Sequence, residues 1–177
     1  SLPLAQEGGW SQVTPGGPIP QRRIMHTMLY NRLDDQVVIF GGLYDFFLND
    51  MTVMALSGAP WWFPNPGYGT PPSARGGHAA VYDSLRHRML VIGGYDRTLR
   101  NDVWEYAPPG VGTWRELTVG GTPMPPRAQH AAVYDPVRDR VIVIGGDGGV
   151  FFNDVWALNL SGTPSWERLS PTGAAPS

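Results

Sequence analysis

The chain contains no cysteine. That absence excludes disulfides, thiolate zinc sites and cysteine nucleophiles together, and it leaves the redox compartment open. No apolar run approaches the roughly 20 residues that a membrane-spanning helix needs. Charge is sparse and balanced, with 13 Lys and Arg against 15 Asp and Glu and a formal net charge of −2. The arginines are scattered, so there is no electrostatic footprint for nucleic acid. Sustained helical periodicity is missing too, because 23 glycines and 18 prolines interrupt the 177 residues. Short strands joined by tight turns are the expected outcome. The opening "SLPLAQEGG" has neither an initiator Met nor a signal-peptide layout, so a processed or trimmed product is expected. Localisation stays unassigned.

What the chain does have is 42% apolar residues, enough for one domain with a core, and a repeat. The stretch "VIGGYDRTLRNDVWEY" at 91–106 has relatives at 38–53 and 143–158. His26, His78 and His130 are spaced 52 apart, and the same step separates Arg23, Arg75 and Arg127. It also relates the glycine pairs Gly41 and Gly42, Gly93 and Gly94, and Gly145 and Gly146. Asp50, Asp102 and Asp154 keep it, as do Trp10, Trp62, Trp114 and Trp166.

A unit of this length fits one four-stranded blade. In the second unit, "RGGHAAVYD" reads as strand a, with His78, Ala80 and Tyr82 on one face and Ala79 and Val81 on the other. "MLVIGG" reads as strand b, apolar enough for burial on both faces. "DVWEY" and "TWREL" follow as strands c and d, and Pro- and Gly-rich stretches lead to the next unit.

This pattern resembles the kelch repeat, the unit of one class of β-propeller. The matching motifs are the Arg-x-x-His opening, the apolar strand ending in Gly-Gly, a bulky residue in the third strand (Trp104, Trp156) and Trp in the fourth (Trp114, Trp166). The resemblance covers the chain from Trp10 to Trp166 and implies an all-β fold of blades arranged radially about a channel, strand a innermost. One departure is Thr52, which stands where the other units carry Trp104 and Trp156; the first unit's third strand should pack differently. The expected division of the single 1–177 domain is a leading outer strand and linker at 1–20, then blades at 21–72, 73–124 and 125–177.

Kelch-type propellers generally need about twice as many blades to close, so three form an arc with two open apolar faces. If each face hides roughly 600 Å², leaving it wet forfeits on the order of 15 kcal/mol, which rivals a typical domain's whole stability. Either the chain is one piece of a longer propeller, or a second copy completes a six-bladed ring. The whole number of blades favours the homodimer; the leading Trp10 strand counts mildly against it.

Recurrence separates scaffold from site. The aligned His and Arg residues repeat in every unit, which fits structural hydrogen bonding between blades better than a ring of metal ligands. The Asn-Asp pairs at 49–50, 101–102 and 153–154 fit turn-stabilising bonds to backbone. "IGGDGG" at 144–149 lacks the following helix that a nucleotide loop requires. His87 reads as a solvated turn residue.

The variable b–c and d–a loops are expected on one face, and they place Tyr44, Phe46, Phe47, Tyr68, Arg97, Arg100, Met124, Phe151 and Phe152 around one rim. Aromatic and Arg side chains on loops over a rigid scaffold are suited to recognition. Phe47 and Phe152 are equally suited to plugging the core. The resemblance implies a module that binds a protein or peptide partner, with carbohydrate binding and pure self-assembly as alternatives. Some kelch-type propellers are copper radical oxidases, whose cofactor needs a tyrosine cross-linked to cysteine; this chain cannot form it. No catalytic set stands out, and no metal or other cofactor is expected.

Overall fold

The computed structural model describes residues 10–107 and 112–173. Among these, every regular element is a strand, and the strands form three sheets in succession, antiparallel except where one short strand adds parallel to the outer edge of the third. The first blade consists of β1 (Thr27–Asn31), β2 (Gln36–Leu43), β3 (Phe47–Ala55) and β4 (Trp61–Pro64). The second consists of β5 (Ala79–Asp83), β6 (Arg88–Tyr95), β7 (Leu99–Ala107) and β8 (Thr113–Glu116). A short strand, β9 (Gly120–Gly121), precedes the third blade of β10 (Ala131–Asp135), β11 (Arg140–Ile144), β12 (Val155–Asn159) and β13 (Ser165–Leu169). Each blade runs a-b-c-d from the inner to the outer edge.

Burial follows position in the arc. β6 lies between two neighbours and is buried from Arg88 to Gly94, whereas the equivalent β11 alternates because only one of its faces is covered. One apolar cluster joins blades 1 and 2 through Phe40, Met51, Val53, Val91 and Trp114, and the Trp114 ring lies 4.9 Å from that of Phe40 and 5.2 Å from that of Tyr106. A second cluster joins blades 2 and 3 through Ile92, Val103, Val143, Trp156 and Trp166. The outermost faces are wet: Val133 and Ile144 are 61% and 40% exposed, against 6% and 0% for their counterparts Val81 and Ile92. At the other flank Met28 and Tyr30 are exposed, while Ala80 and Tyr82 at the same positions are half-buried.

Backbone hydrogen bonds tie neighbouring blades in a fixed direction. Near the inner edge the Gly77 N–H donates to Met25 O (2.9 Å) and the Gln129 N–H to Gly77 O (2.6 Å). Farther up, the Arg75 N–H donates to Leu48 O and the Gly42 N–H to Arg75 O, and Arg127, Arg100 and Gly94 repeat that pair. Third-blade Gly146 and Phe152, and first-blade Arg23 and Met25, occupy the same positions at the two flanks.

Two boundaries differ from the sequence reading. Residues 10–15 form no strand, and Trp10 is fully exposed; a d-type strand needs a c-type neighbour, and none lies beside it among the described residues. The d–a linkers, assigned to the blade they leave, run parallel to the outer strand of the blade they approach. Gly16 bridges Trp61, Tyr68 bridges Thr113, and β9 pairs with β13 at Ser165 and Trp166.

Candidate functional site

The sequence demands a charged residue, arginine, at the start of each inner strand, and the structure buries it. Arg75 and Arg127 are 1% and 0% exposed. The Arg75 guanidinium donates to both carboxylate oxygens of Asp102 (2.6 and 2.9 Å) and to Gly93 O (2.9 Å). Arg127 does the same with Asp154 (2.5 and 3.0 Å) and Gly145 O (2.8 Å), and Arg23 with Asp50 (2.7 and 2.8 Å) and Gly41 O (3.0 Å). Planar bidentate pairing of this kind fixes geometry as well as supplying energy. Because the Arg75 backbone bonds the preceding blade and its side chain bonds its own, one residue clamps the b–c hairpins of both.

The recurring spacing therefore has another meaning at the aspartates than the stabilising of turns. They neutralise the buried arginines. The Trp104 and Trp156 indoles also donate to Asp102 and Asp154, each at 2.8 Å. Thr52 cannot do so, and the Asp50 side chain is 48% exposed where those of Asp102 and Asp154 are 19% and 11% exposed. The asparagines do reach backbone, but on the linker to the next blade: Asn49 donates to Pro72 O and Asn101 to Met124 O.

On this clamped base stand three hairpin tips closed by the same bond. The Tyr44 N–H donates to Phe46 O, that of Asp96 to Thr98 O, and that of Gly148 to Val150 O. Tyr44, Phe46, Arg97 and Phe151 are exposed there, with Tyr95, Val150 and Arg22 beside them. The Arg22 guanidinium lies 5.8 Å from the centre of the Tyr44 ring. Arg97 holds a positive φ of 82°, uncommon for a residue that carries a side chain. Arg100 is exposed but engaged: both carboxylate oxygens of Asp96 accept from its Nε at 2.9 Å, and the Ser73 hydroxyl donates to the same carboxylate at 2.5 Å. Burial opposes ionisation of Asp96, but Arg100 and Ser73 outweigh it and hold its carboxyl below the usual range.

Four residues belong elsewhere than on the exposed rim. Tyr68 is exposed on the outer edge, where its backbone bridges Thr113 at the start of β8. Met124 is fully buried in the cluster between blades 2 and 3. Phe47 and Phe152 are half-buried plugs: the Phe47 ring packs edge-on against Tyr95 (5.7 Å), and Phe152 lies 4.2 Å beneath the Arg127 guanidinium. The sequence did not single out Arg22, Tyr95 and Val150: the first lies outside the repeat motif, and the other two lie within the variable b–c loops at 95–100 and 147–152, where composition does not tell which side chains face outward.

The aligned histidines pack more than they bond. His78 shares a hydrogen bond with the Thr27 hydroxyl (2.8 Å) through Nε2, while its Nδ1 and both ring nitrogens of His130 meet no well-aligned partner among the described residues, the backbone of Phe40 and of Ile92 offering each ring only a weak interaction. The reason is one position: Ala79 stands, relative to His130, where Thr27 stands relative to His78. Burial first, and then Arg75, lower the His78 pKa to about 3; burial and Arg127 lower that of His130 to about 4. Since the unfolded chain takes up these protons near the ordinary value of 6.5 and the folded chain does not, stability is complete above that pH and declines below it. The thermal midpoint should fall continuously from pH 7 to pH ~4, and a His130→Gln variant should show a shallower slope. A flat profile in the parent chain would contradict the burial argument.

Comparison with known proteins adds the following. The family profile described as the KLHDC2/KLHL20/DRC7 Kelch-repeats domain matches residues 4–177. The Leucine-zipper-like transcriptional regulator 1 homolog of Drosophila melanogaster is 33% identical over 165 residues, which are 88% of this chain and 16% of that protein. The Rab9 effector protein with kelch motifs of Gallus gallus is 29% identical over 143 residues, 80% of this chain and 38% of that one. The solved structure described as YjhT superposes with a TM-score of 0.71 at 19% identity and covers 97% of this chain but 58% of that chain. The chain thus spans less than two fifths of these two relatives' length and little more than half of the similar structure.

Proposed function

This chain belongs to the kelch-repeat family of β-propellers, and from that premise we propose that it is a non-catalytic interaction module that binds a protein or peptide across its hairpin tips. The observation that carries this reading is the contrast between base and tips. Below, buried Arg–Asp clamps fix the hairpins; above, each tip differs in chemistry while keeping one backbone form. Tyr44 and Phe46 offer aromatic surface, Arg97 an exposed cation, and Val150 and Phe151 apolar surface. An extended peptide lying across the three tips meets an aromatic, a charged and an apolar zone in turn. Such variety favours side-chain recognition over the repeated hydroxyl pattern of a glycan.

The exposed flanks fit further blades of the same kind. In this reading a second copy supplies them, because three blades and three blades make the six-bladed ring, and the hydrogen-bond pattern at the third-blade flank is the complement of that at the first. The flanks are unlike, so each copy meets its partner twice, third blade to first. The leader segment at Gly16 already lies along the outer strand of blade 1, so no linker from the partner is required there.

To test the binding reading, peptides selected on this chain from a random display library should lose at least about tenfold in affinity with Tyr44→Ala plus Arg97→Ala, while the melting temperature holds. Selected peptides that bind the double variant unchanged would move the site off the rim. Binding to a glycan array, with no peptide recovered, would favour the carbohydrate alternative.

A further inference from the structure

The two seams between blades differ at the end opposite the hairpin tips. Between blades 2 and 3 the seam carries a network of ion pairs beside an open, polar cleft of about 300 Å³ lined by Arg86, Arg88 and Arg115. Arg88 pairs with Asp83 (2.8 Å) and with Glu105, and Arg115 also donates to Glu105 (2.7 Å). Arg86 reaches across to Asp139 (2.7 and 2.6 Å) and to Leu160 O (2.9 Å). Fifty-two residues earlier, the seam between blades 1 and 2 has Asn31 in place of Asp83, Asp34 in place of Arg86 and Gln36 in place of Arg88. Val53 stands for Glu105, and His87 stands for Asp139. Every arginine of the network is absent here, one carboxylate is added, and this seam holds a smaller cavity, of about 70 Å³, with a partly apolar lining.

Its floor is apolar, made by Val38, Met51, Val53 and Met89, and its walls carry the Tyr82 and Tyr106 rings. Asp34, Gln36, Asn65 and His87 add polar groups, and Asn31 Nδ2 donates to Asp34 at 2.7 Å. That is a short aliphatic slot beside one exposed carboxylate and two tyrosines, with the Asn65 and Asn31 amide oxygens already accepting from the Tyr106 hydroxyl and the Leu33 N–H. We infer that this cavity binds a small organic cation on an aliphatic stem, as an arginine side chain of a partner would present, and that Asp34 is its counter-ion. The internal precedent is Arg86, whose guanidinium bridges the equivalent seam from within the chain. A cation–carboxylate contact, aromatic faces and a buried stem are together the usual chemistry for holding guanidinium.

The probe is ethylguanidinium, titrated at constant ionic strength against the full chain, with the side-chain amide NMR signals of Asn31 and Asn65 as the readout and ethylurea as the neutral isostere. Saturable shifts are expected with ethylguanidinium, with binding at least about tenfold weaker for ethylurea or for Asp34→Asn. The Asp34→Arg, His87→Asp double variant should rebuild the bridge of the other seam, raise the melting temperature and abolish the shifts. Non-saturating shifts, equal binding of ethylurea, or binding that survives Asp34→Asn would overturn the assignment. Since the selected peptides engage the opposite face, the rim reading stands or falls separately.

Discussion

Replacing Asp102 by Ala should cost about 3–5 kcal/mol of folding stability, because it strands the positive charge of Arg75 in the interior. Arg75 is 1% exposed, and Asp102 is its only carboxylate partner among the described residues. The Trp104 indole loses its acceptor in the same step. The blade-to-blade bonds of the Arg75 backbone would persist, so the loss should appear as instability of a correctly stacked arc and not as a changed fold. Urea denaturation at pH ~7 measures it. Asp50→Ala provides the internal comparison, since its side chain is 48% exposed and carries no indole donor; water can replace part of what is removed, and the loss should be smaller. Equal losses at the two sites would show that burial is not what gives the clamp its weight. Exchanging the whole pair, with Arg75→Met and Asp102→Leu, should recover much of the deficit.

A comparable loss, about 2–5 kcal/mol, is expected of Gly94→Val. Gly94 lies in the bulge between Ile92 and Gly94 on β6 and has a φ of 102°, which side-chain-bearing residues rarely adopt. A Cβ placed there falls 2.8 Å from the Cβ of His78 and 3.0 Å from its backbone nitrogen. That backbone begins the inner strand, so it cannot move aside without pulling Arg75 out of its clamp. A thermal midpoint close to that of the parent chain would mean the bulge is soft, and the glycine pair would then need another explanation.

These two sites also mark what a sequence can tell about a repeat fold. The period, the strand order and the apolar faces were legible because they depend on composition at fixed spacing, which is how blade cores are built. The glycine pairs were legible for the same reason. What spacing alone does not reveal is which polar atoms meet. Arg75 and Asp102 are 27 residues apart on different strands, and the recurring aspartate looked like a turn former until the arginine was found beside it. The histidines invited a bonding role, yet whether they have a partner depends on a single residue of the preceding blade, Thr27 or Ala79.

The rim was partly legible. Tyr44, Phe46, Arg97 and Phe151, all within the variable loops, are exposed on the hairpin tips. Tyr68 does not join them, because the linker carrying it adds to the outer edge of the next blade before climbing to the tips. Met124 lies on a similar linker and turns inward. The cavity beside Asp34 is formed by residues from two blades that are far apart in the chain, so in the sequence its charge changes read as ordinary variation in an exposed turn.

The requirement that identical blades cover one another's faces is tested most directly by the solution mass of this chain across a range of concentrations. Sedimentation equilibrium should give twice the 19.3 kDa of one chain, with the melting temperature rising as concentration rises. A single 19.3 kDa species that melts cooperatively, and at one temperature whatever its concentration, would show that the arc is stable with Val133, Ile144, Met28 and Tyr30 in water, and the account would fail.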